Sequence, residues 1–131
     1  MPADQLIHGY VASEETYEDQ SAIIEEGRKG VWVYAILQGR AIVKKRAPKG
    51  IVTVARLKEG DLFGEMGLFE RGAGLRSASV IADGPVRVGV LDNDRLLRDY
   101  EKISPQLKGL VRALIIRLET LTDEACDMAL K

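Results

Sequence analysis

The stretch Gly60-Asp61-Leu62-Phe63-Gly64-Glu65-Met66-Gly67-Leu68-Phe69-Glu70-Arg71-Gly72-Ala73-Gly74-Leu75-Arg76-Ser77-Ala78-Ser79-Val80 decides how this chain is read. Five glycines, Gly60, Gly64, Gly67, Gly72 and Gly74, fall within fifteen residues of it. Glycine lets a backbone turn sharply or approach a ligand with no Cβ in the way. Amides exposed by such a turn, particularly ahead of a helical turn, form a concavity that suits an anion. Arg76 brings the planar, permanently charged fork that phosphate oxygens prefer, and Ser77 adds a hydroxyl donor. Glu65 is an acceptor suited to a sugar hydroxyl, which gives a carboxylate reason to stand in an anion site. Together these groups describe a site for a phosphorylated sugar. Taken singly they say less: the glycines fit an all-β hairpin, Arg76 an exposed ion pair, and Glu65 with Arg76 an internal salt bridge in an empty pocket.

Working outward, short apolar runs rich in β-branched and aromatic residues flank the stretch. They are Ala22–Ile24, Val31–Leu37, Ala41–Val43, Ile51–Ala55, Ser77–Ala82 and Val86–Leu91. Turn-like segments separate them: Glu26–Gly30, Gln38-Gly39-Arg40, Ala47–Gly50 and Asp83-Gly84-Pro85. Regular short strands with glycine-rich turns predict a mainly β protein, a jelly roll or sandwich. Trp32 and Tyr34 alternate with Val31, Val33 and Ala35 and are expected in the core. Ahead of these runs the polar, acidic segment Ser13-Glu14-Glu15-Thr16 fits the capped start of a short helix.

The end of the chain is helical. Asn93–Tyr100 predicts a short helix capped by Asp92 or Asn93. Ser104-Pro105 places a cap and an N1 proline ahead of a long periodic segment. Leu107, Leu110, Val111, Leu114, Ile115, Leu118 and Leu121 recur at three- and four-residue steps and form an apolar stripe. Such a stripe packs on the chain's own barrel or on a partner helix.

Composition bounds the rest. The 131 residues fit a single domain, 1–131, with a β region at about 21–92 and helices at about 93–128. Nineteen Lys and Arg against twenty Asp and Glu give a net charge of −1, without the broad positive field of a dedicated nucleic-acid binder. Cys126 alone cannot form an internal disulfide, and with His8 as the one histidine a metal centre is not expected. No apolar run approaches the ~18 residues of a spanning helix, and Met1–Tyr10 has no signal-peptide pattern. A cytoplasmic location is therefore expected. No GxSxG elbow, HExxH helix or Walker lysine is present, so no enzyme activity is expected.

Phe63-Gly64-Glu65-Met66-Gly67-Leu68-Phe69 followed by Arg76-Ser77-Ala78 resembles the phosphate-binding cassette of the cyclic nucleotide-binding domain family, in the form found in bacterial catabolite activators. Leu37–Val43, Gly60-Asp61 and Ser104-Pro105 extend the resemblance over roughly 21–122, whereas the first twenty residues match poorly. The resemblance implies an eight-stranded double-stranded β-helix, or jelly-roll barrel, with a short helix and a long C-terminal helix.

It also implies roles. Arg76 and Ser77 would bind the cyclic phosphate, and Glu65 the ribose 2′-hydroxyl. The backbone of Gly64, Glu65 and Met66 would close over the sugar, with Phe63 beside it. Val54 and Leu57 would line the base pocket. Thr122, followed by Asp123, would reach the purine edge, with Thr120 the alternative in another helix register and Arg117 one turn earlier. The ligand is expected to be cAMP or cGMP, with no other cofactor. The partners implied are a second copy joined through the C-terminal helix and an effector protein. The loop from Glu65 to Arg76 is one or two residues longer than usual, and no helix-turn-helix follows the long helix, so direct DNA binding is not expected. The reading is a sensor module signalling through its last helix; the alternative is a β-roll with a vestigial pocket that serves dimerisation.

Overall fold

The computed structural model describes residues 8–64, 76 and 78–129. A 3-10 helical turn, His8–Tyr10, leads into β1 (Val11–Tyr17), β2 (Ala22–Ile24), β3 (Tyr34–Ala47), β4 (Gly50–Leu57), β5 (Leu62–Phe63) and β6 (Ser79–Leu91). Two helices follow, α1 (Asn93–Glu101) and α2 (Pro105–Ala129). All described strands are antiparallel, in the order β1-β6-β3-β4, with β2 paired to β6 and β5 to β3. The predicted mainly β architecture with a short and a long terminal helix is what forms.

Two expected turns lie inside strands. Gln38-Gly39-Arg40 falls within the fourteen residues of β3, and Asp83-Gly84-Pro85 within the thirteen of β6. Each segment bends at a glycine with positive φ, +97° at Gly39 and +80° at Gly84. The register between the strands slips between Gln38 and Arg40. A Cβ on Gly39 would lie 2.5 Å from the Pro85 carbonyl, so the backbones cross too closely for any other residue. Two glycine signals that read as chain reversals thus form a corner at which one long strand pair folds over. Pairs of predicted runs merge into single strands there.

The N-terminal expectation is corrected. Ser13–Thr16 forms no helix; it lies in β1, where Glu14, Glu15 and Thr16 pair with Gly89, Val88 and Arg87. β6 needs a partner on that side, and β1 supplies it while turning its acidic side chains to solvent. Glu14 then meets Arg87 at 2.8 Å. Pairing across the sheet outweighs the local capping pattern.

The core forms where the faces of these strands meet. Ile36, Val88 and Leu91 are its largest fully buried side chains, joined by Ile23, Ile24, Tyr34, Phe63 and Val80. Asp92 caps α1 by accepting from the Arg95 N–H at 3.1 Å. Ser104 caps α2 by accepting from the Leu107 N–H at 3.1 Å, with Pro105 as the first helical residue. Both caps are those the sequence predicts. Helix α2 packs against β4 and β3. Its stripe divides: Val111 and Ile115 are half-buried toward the sheet, whereas Leu107, Leu110, Leu114, Leu118 and Leu121 are 45–54% exposed.

Candidate functional site

Arg76 sits where three segments converge. Its backbone N–H donates to the Arg28 carbonyl at 2.8 Å, and its carbonyl accepts from the Gly27 N–H at 2.8 Å. This short backbone ladder fastens Arg76 to the turn after β2. The guanidinium then reaches both ways: Nη1 donates to the Gly64 carbonyl at 3.1 Å and Nη2 to the Trp32 carbonyl at 2.7 Å. A planar fork gripped by two fixed acceptors is held in orientation as well as position.

Two glycines make this placement possible. A Cβ on Gly30 would lie 2.6 Å from Arg76 Nε, so the guanidinium occupies the space a side chain would take. Gly64 has φ +79°, and its Cβ would lie 2.7 Å from the Trp32 carbonyl and 3.4 Å from Arg76 Nη1. The Gly64 backbone therefore closes against the Trp32 carbonyl only because it has no side chain.

A cavity of about 210 Å³ opens beside this cluster, lined among others by Ile24, Lys29, Gly30, Trp32, Tyr34 and Arg76. One wall is firmly built. Tyr34 is buried and stacks on Phe63, with ring centroids 5.0 Å apart and planes 11° from parallel. Burial raises the Tyr34 hydroxyl above its ordinary pKa, against a smaller lowering by the Arg76 charge. The phenol stays neutral at physiological pH.

Of the sequence-predicted site residues, Arg76 and Gly64 are in direct contact and Phe63 supports Tyr34 behind them. Leu57 is half-buried and packs against the core cluster that contains Phe63. Val54 is half-buried on β4, where the β3–β4 register slips between Val43 and Lys44 and no partner falls to it. Neither Val54 nor Leu57 lines the described cavity; both lie on the strand against which α2 packs. Glu65, Met66 and Ser77 lie outside the described residues. The backbone of Thr122 and Asp123 runs in α2, and their side chains are outside the description. Thr120 is exposed and its hydroxyl donates to the Ile116 carbonyl of its own helix at 3.1 Å. Arg117 is exposed on the same helix. Among the described residues no cluster of His, Cys, Asp and Glu could hold a metal ion.

Trp32 corrects an expectation. It lies ahead of β3, not within a strand, and is 50% exposed at the cavity while its neighbour Val33 is buried. The burial begins only at Val33 and runs unbroken through Ile36, while the Trp32 carbonyl, ahead of the sheet, accepts from the Arg76 guanidinium. Sequence reasoning also missed Gly30 and Ile24. Only the glycine in a turn offered a signal for Gly30, and its purpose depends on a residue 46 positions later.

Comparison with known proteins identifies the family. The family model described as the cyclic nucleotide-binding domain matches residues 14–102. The chain belongs to that family. It is 31% identical over 112 residues to a CRP-like cAMP-activated global transcriptional regulator of Mycobacterium tuberculosis, covering 81% of this chain and 47% of the regulator. It is 34% identical over 94 residues to a cAMP-dependent protein kinase regulatory subunit of Yarrowia lipolytica, covering 72% of this chain and 24% of that one. Among solved structures, the Thermus thermophilus catabolite activator protein superposes with TM-score 0.72 at 26% identity, over 98% of this chain and 60% of that one. The cAMP-bound form of the EAL enzyme Bd1971 superposes with TM-score 0.73 at 29% identity, over 85% of this chain and 30% of that one. The chain spans about half the length, or less, of the curated relatives it matches. Among the described residues no helix is long and apolar enough to cross a membrane.

Proposed function

We propose that this chain is a regulatory sensor that binds a cyclic nucleotide, cAMP before cGMP, and acts by binding rather than catalysis in the cytoplasm. The observation that carries the reading is the Arg76 fork, fixed by the Gly64 and Trp32 carbonyls beside a cavity in a chain of this family. A guanidinium held in orientation before ligand arrives loses little freedom on pairing with a phosphate. Glu65 accepts from the ribose 2′-hydroxyl, Ser77 adds a donor to the phosphate, and the Gly64–Met66 backbone closes over both. Val54 and Leu57 border the base, with Thr122 and Asp123 above it on α2.

Signalling requires a ligand that favours one arrangement over another. Arg76 joins the turn after β2, the end of β5 and the segment leading into β6, so a phosphate that draws on it acts on all three. The cassette passes that displacement to α2, whose exposed leucine seam carries it to a second copy or an effector protein. Two relatives are a cAMP-activated regulator and a cAMP-dependent kinase regulatory subunit, and Bd1971 has solved structures in cAMP-bound and cGMP-bound forms, which supports this ligand class.

Calorimetric titration with cAMP, cGMP and 5′-AMP tests the reading. Saturable binding of a cyclic nucleotide but not of 5′-AMP is expected. Charge-assisted hydrogen bonds are worth about 1.5–3 kcal/mol each, so Arg76→Ala should weaken binding about 100-fold or more. Glu65→Gln should weaken cAMP more than its 2′-deoxy analogue. Equal affinity of the parent and Arg76→Ala overturns the site, and no binding of any nucleotide moves the reading to a dimerisation module with a vestigial pocket.

A further inference from the structure

The charge of this chain is balanced in total and sharply divided in place. Residues 1–26 hold seven acids and no lysine or arginine; residues 27–58 hold nine lysines and arginines and no acid. The topology separates the acids of β1 from β4, while Glu25 pairs with Arg28 and Glu26 reaches the Arg46 backbone. β1, with Glu14 and Glu15, stands at one end of the sheet order, and β4 stands at the other. Within β3, Ala41 and Val43 point into the core, so Ile42, Lys44 and Arg46 point outward by the two-residue period of a strand. Their cross-strand partners on β4 are Arg56, Thr53 and Ile51. The outer face of this hairpin therefore presents Arg56, Lys44 and Arg46 in a row, ending at Ile51, which lies opposite Arg46 and is 70% exposed.

The neighbouring acids do not neutralise this face. Glu26 accepts from the Arg46 backbone N–H at 2.8 Å, and Asp83 stands across from Arg40, further along β3. Among the described residues no ion pair joins Lys44, Arg46 or Arg56 to a carboxylate. β4 is hydrogen-bonded to β3 on one side and, among the described residues, to no strand on the other.

We infer that this edge is a docking site for an extended acidic segment of a partner protein, which adds to β4 as a further strand. Three features select a peptide. An edge with no strand partner among the described residues, on a strand whose one neighbouring helix is α2, offers backbone donors and acceptors in the spacing of another strand, the basis of strand addition. Ile51, opposite Arg46 at the end of the cation row, gives an apolar residue something to cover, and a phosphate backbone gains nothing from it. The net charge of −1 and the acidic first 26 residues leave no extended positive field to draw in a nucleic acid. Carboxylates on alternate residues of the added strand would lie beside Arg56 and Thr53 of β4 and be approached by the long side chains of Lys44 and Arg46 from β3 behind them.

The test measures fluorescence anisotropy of labelled probes with the full chain. The probes are a peptide alternating Glu and Val, a peptide of equal charge with proline at the Val positions, and a single-stranded oligonucleotide of equal charge. Binding of the Glu/Val peptide is expected, weaker by about tenfold or more for the proline peptide and for the Lys44→Glu/Arg46→Glu variant, and weakened by salt. Thermal unfolding of the variant shows that it remains folded. The inference is overturned if the proline peptide binds equally, since charge alone then suffices, or if the oligonucleotide binds as well as the Glu/Val peptide. Salt-sensitive self-association without peptide binding overturns it in favour of a second copy's acidic β1. No binding of any probe overturns it too, and leaves the cations the task of keeping the edge from pairing. None of these outcomes depends on cyclic nucleotide binding.

Discussion

Gly30 has an ordinary backbone conformation, so its lack of a side chain answers to space alone, and that space belongs to Arg76. Gly30→Ala should destabilise the fold by about 1–3 kcal/mol, the usual cost of overpacking. In an Arg76→Ala background the penalty should vanish, because the clashing guanidinium is gone. Denaturant unfolding of the four proteins of that cycle checks it; an undiminished penalty would show that something other than Arg76 fills the space. Trp32 provides a second readout. It is the single tryptophan, half-exposed, and its carbonyl holds Arg76. Its emission should shift when a cyclic nucleotide binds, and should differ between the parent and Arg76→Ala without ligand. Arg76 and Gly64 were legible in the sequence because their spacing belongs to one short segment. Gly30 and Trp32 were not, since contacts across more than forty residues define their roles.

At the level of elements, capping and acid–base chemistry meet in α1. The Tyr10 hydroxyl donates to Asp99 at 2.6 Å and ties the chain's start to this helix. That hydrogen bond holds the Asp99 carboxyl below its ordinary range, opposed by desolvation and helped by Lys102, Arg95 and Arg98. Asp19 is lowered by the Gly84 N–H, and Glu101 by Lys108. For a group whose folded-state value is depressed, the stability it contributes is complete above the ordinary carboxylate range, near pH ~4, and is lost as pH falls through the lowered value. Thermal unfolding followed down through that range should show a steeper loss for the parent than for Tyr10→Phe. Ser104→Ala should cost about 1 kcal/mol by removing the cap of α2. Both caps were legible because a cap is a local pattern. The corner at Gly39 and Gly84 was not, because a glycine that ends a strand and one that bends it look alike until the partner strand is known. β1 likewise depended on a partner strand far along the chain, Tyr17 pairing with Val86 and Val11 with Leu91.

For the whole molecule, the divided stripe of α2 matters most. Val111 and Ile115 turn inward, and the leucines at 107, 110, 114, 118 and 121 follow the three-and-four spacing of a helix–helix seam with their surfaces exposed. Leu114→Asp should therefore leave the fold intact and shift sedimentation from dimer to monomer; a parent that sediments as a monomer would exclude the dimer. The sheet itself is organised around β6, which pairs with β1, β2 and β3. In order of synthesis, the strands that precede it emerge first and have little to pair with. A nascent chain halted before Ser79 would hold β1 and β2 without their common partner and β3 with only β4 and β5 beside it. Such a chain should show little sheet by circular dichroism, and folding should begin in earnest only once Leu91 has left the ribosome tunnel. Until then, the apolar residues of the nascent strands are open to whatever chaperone waits at the exit.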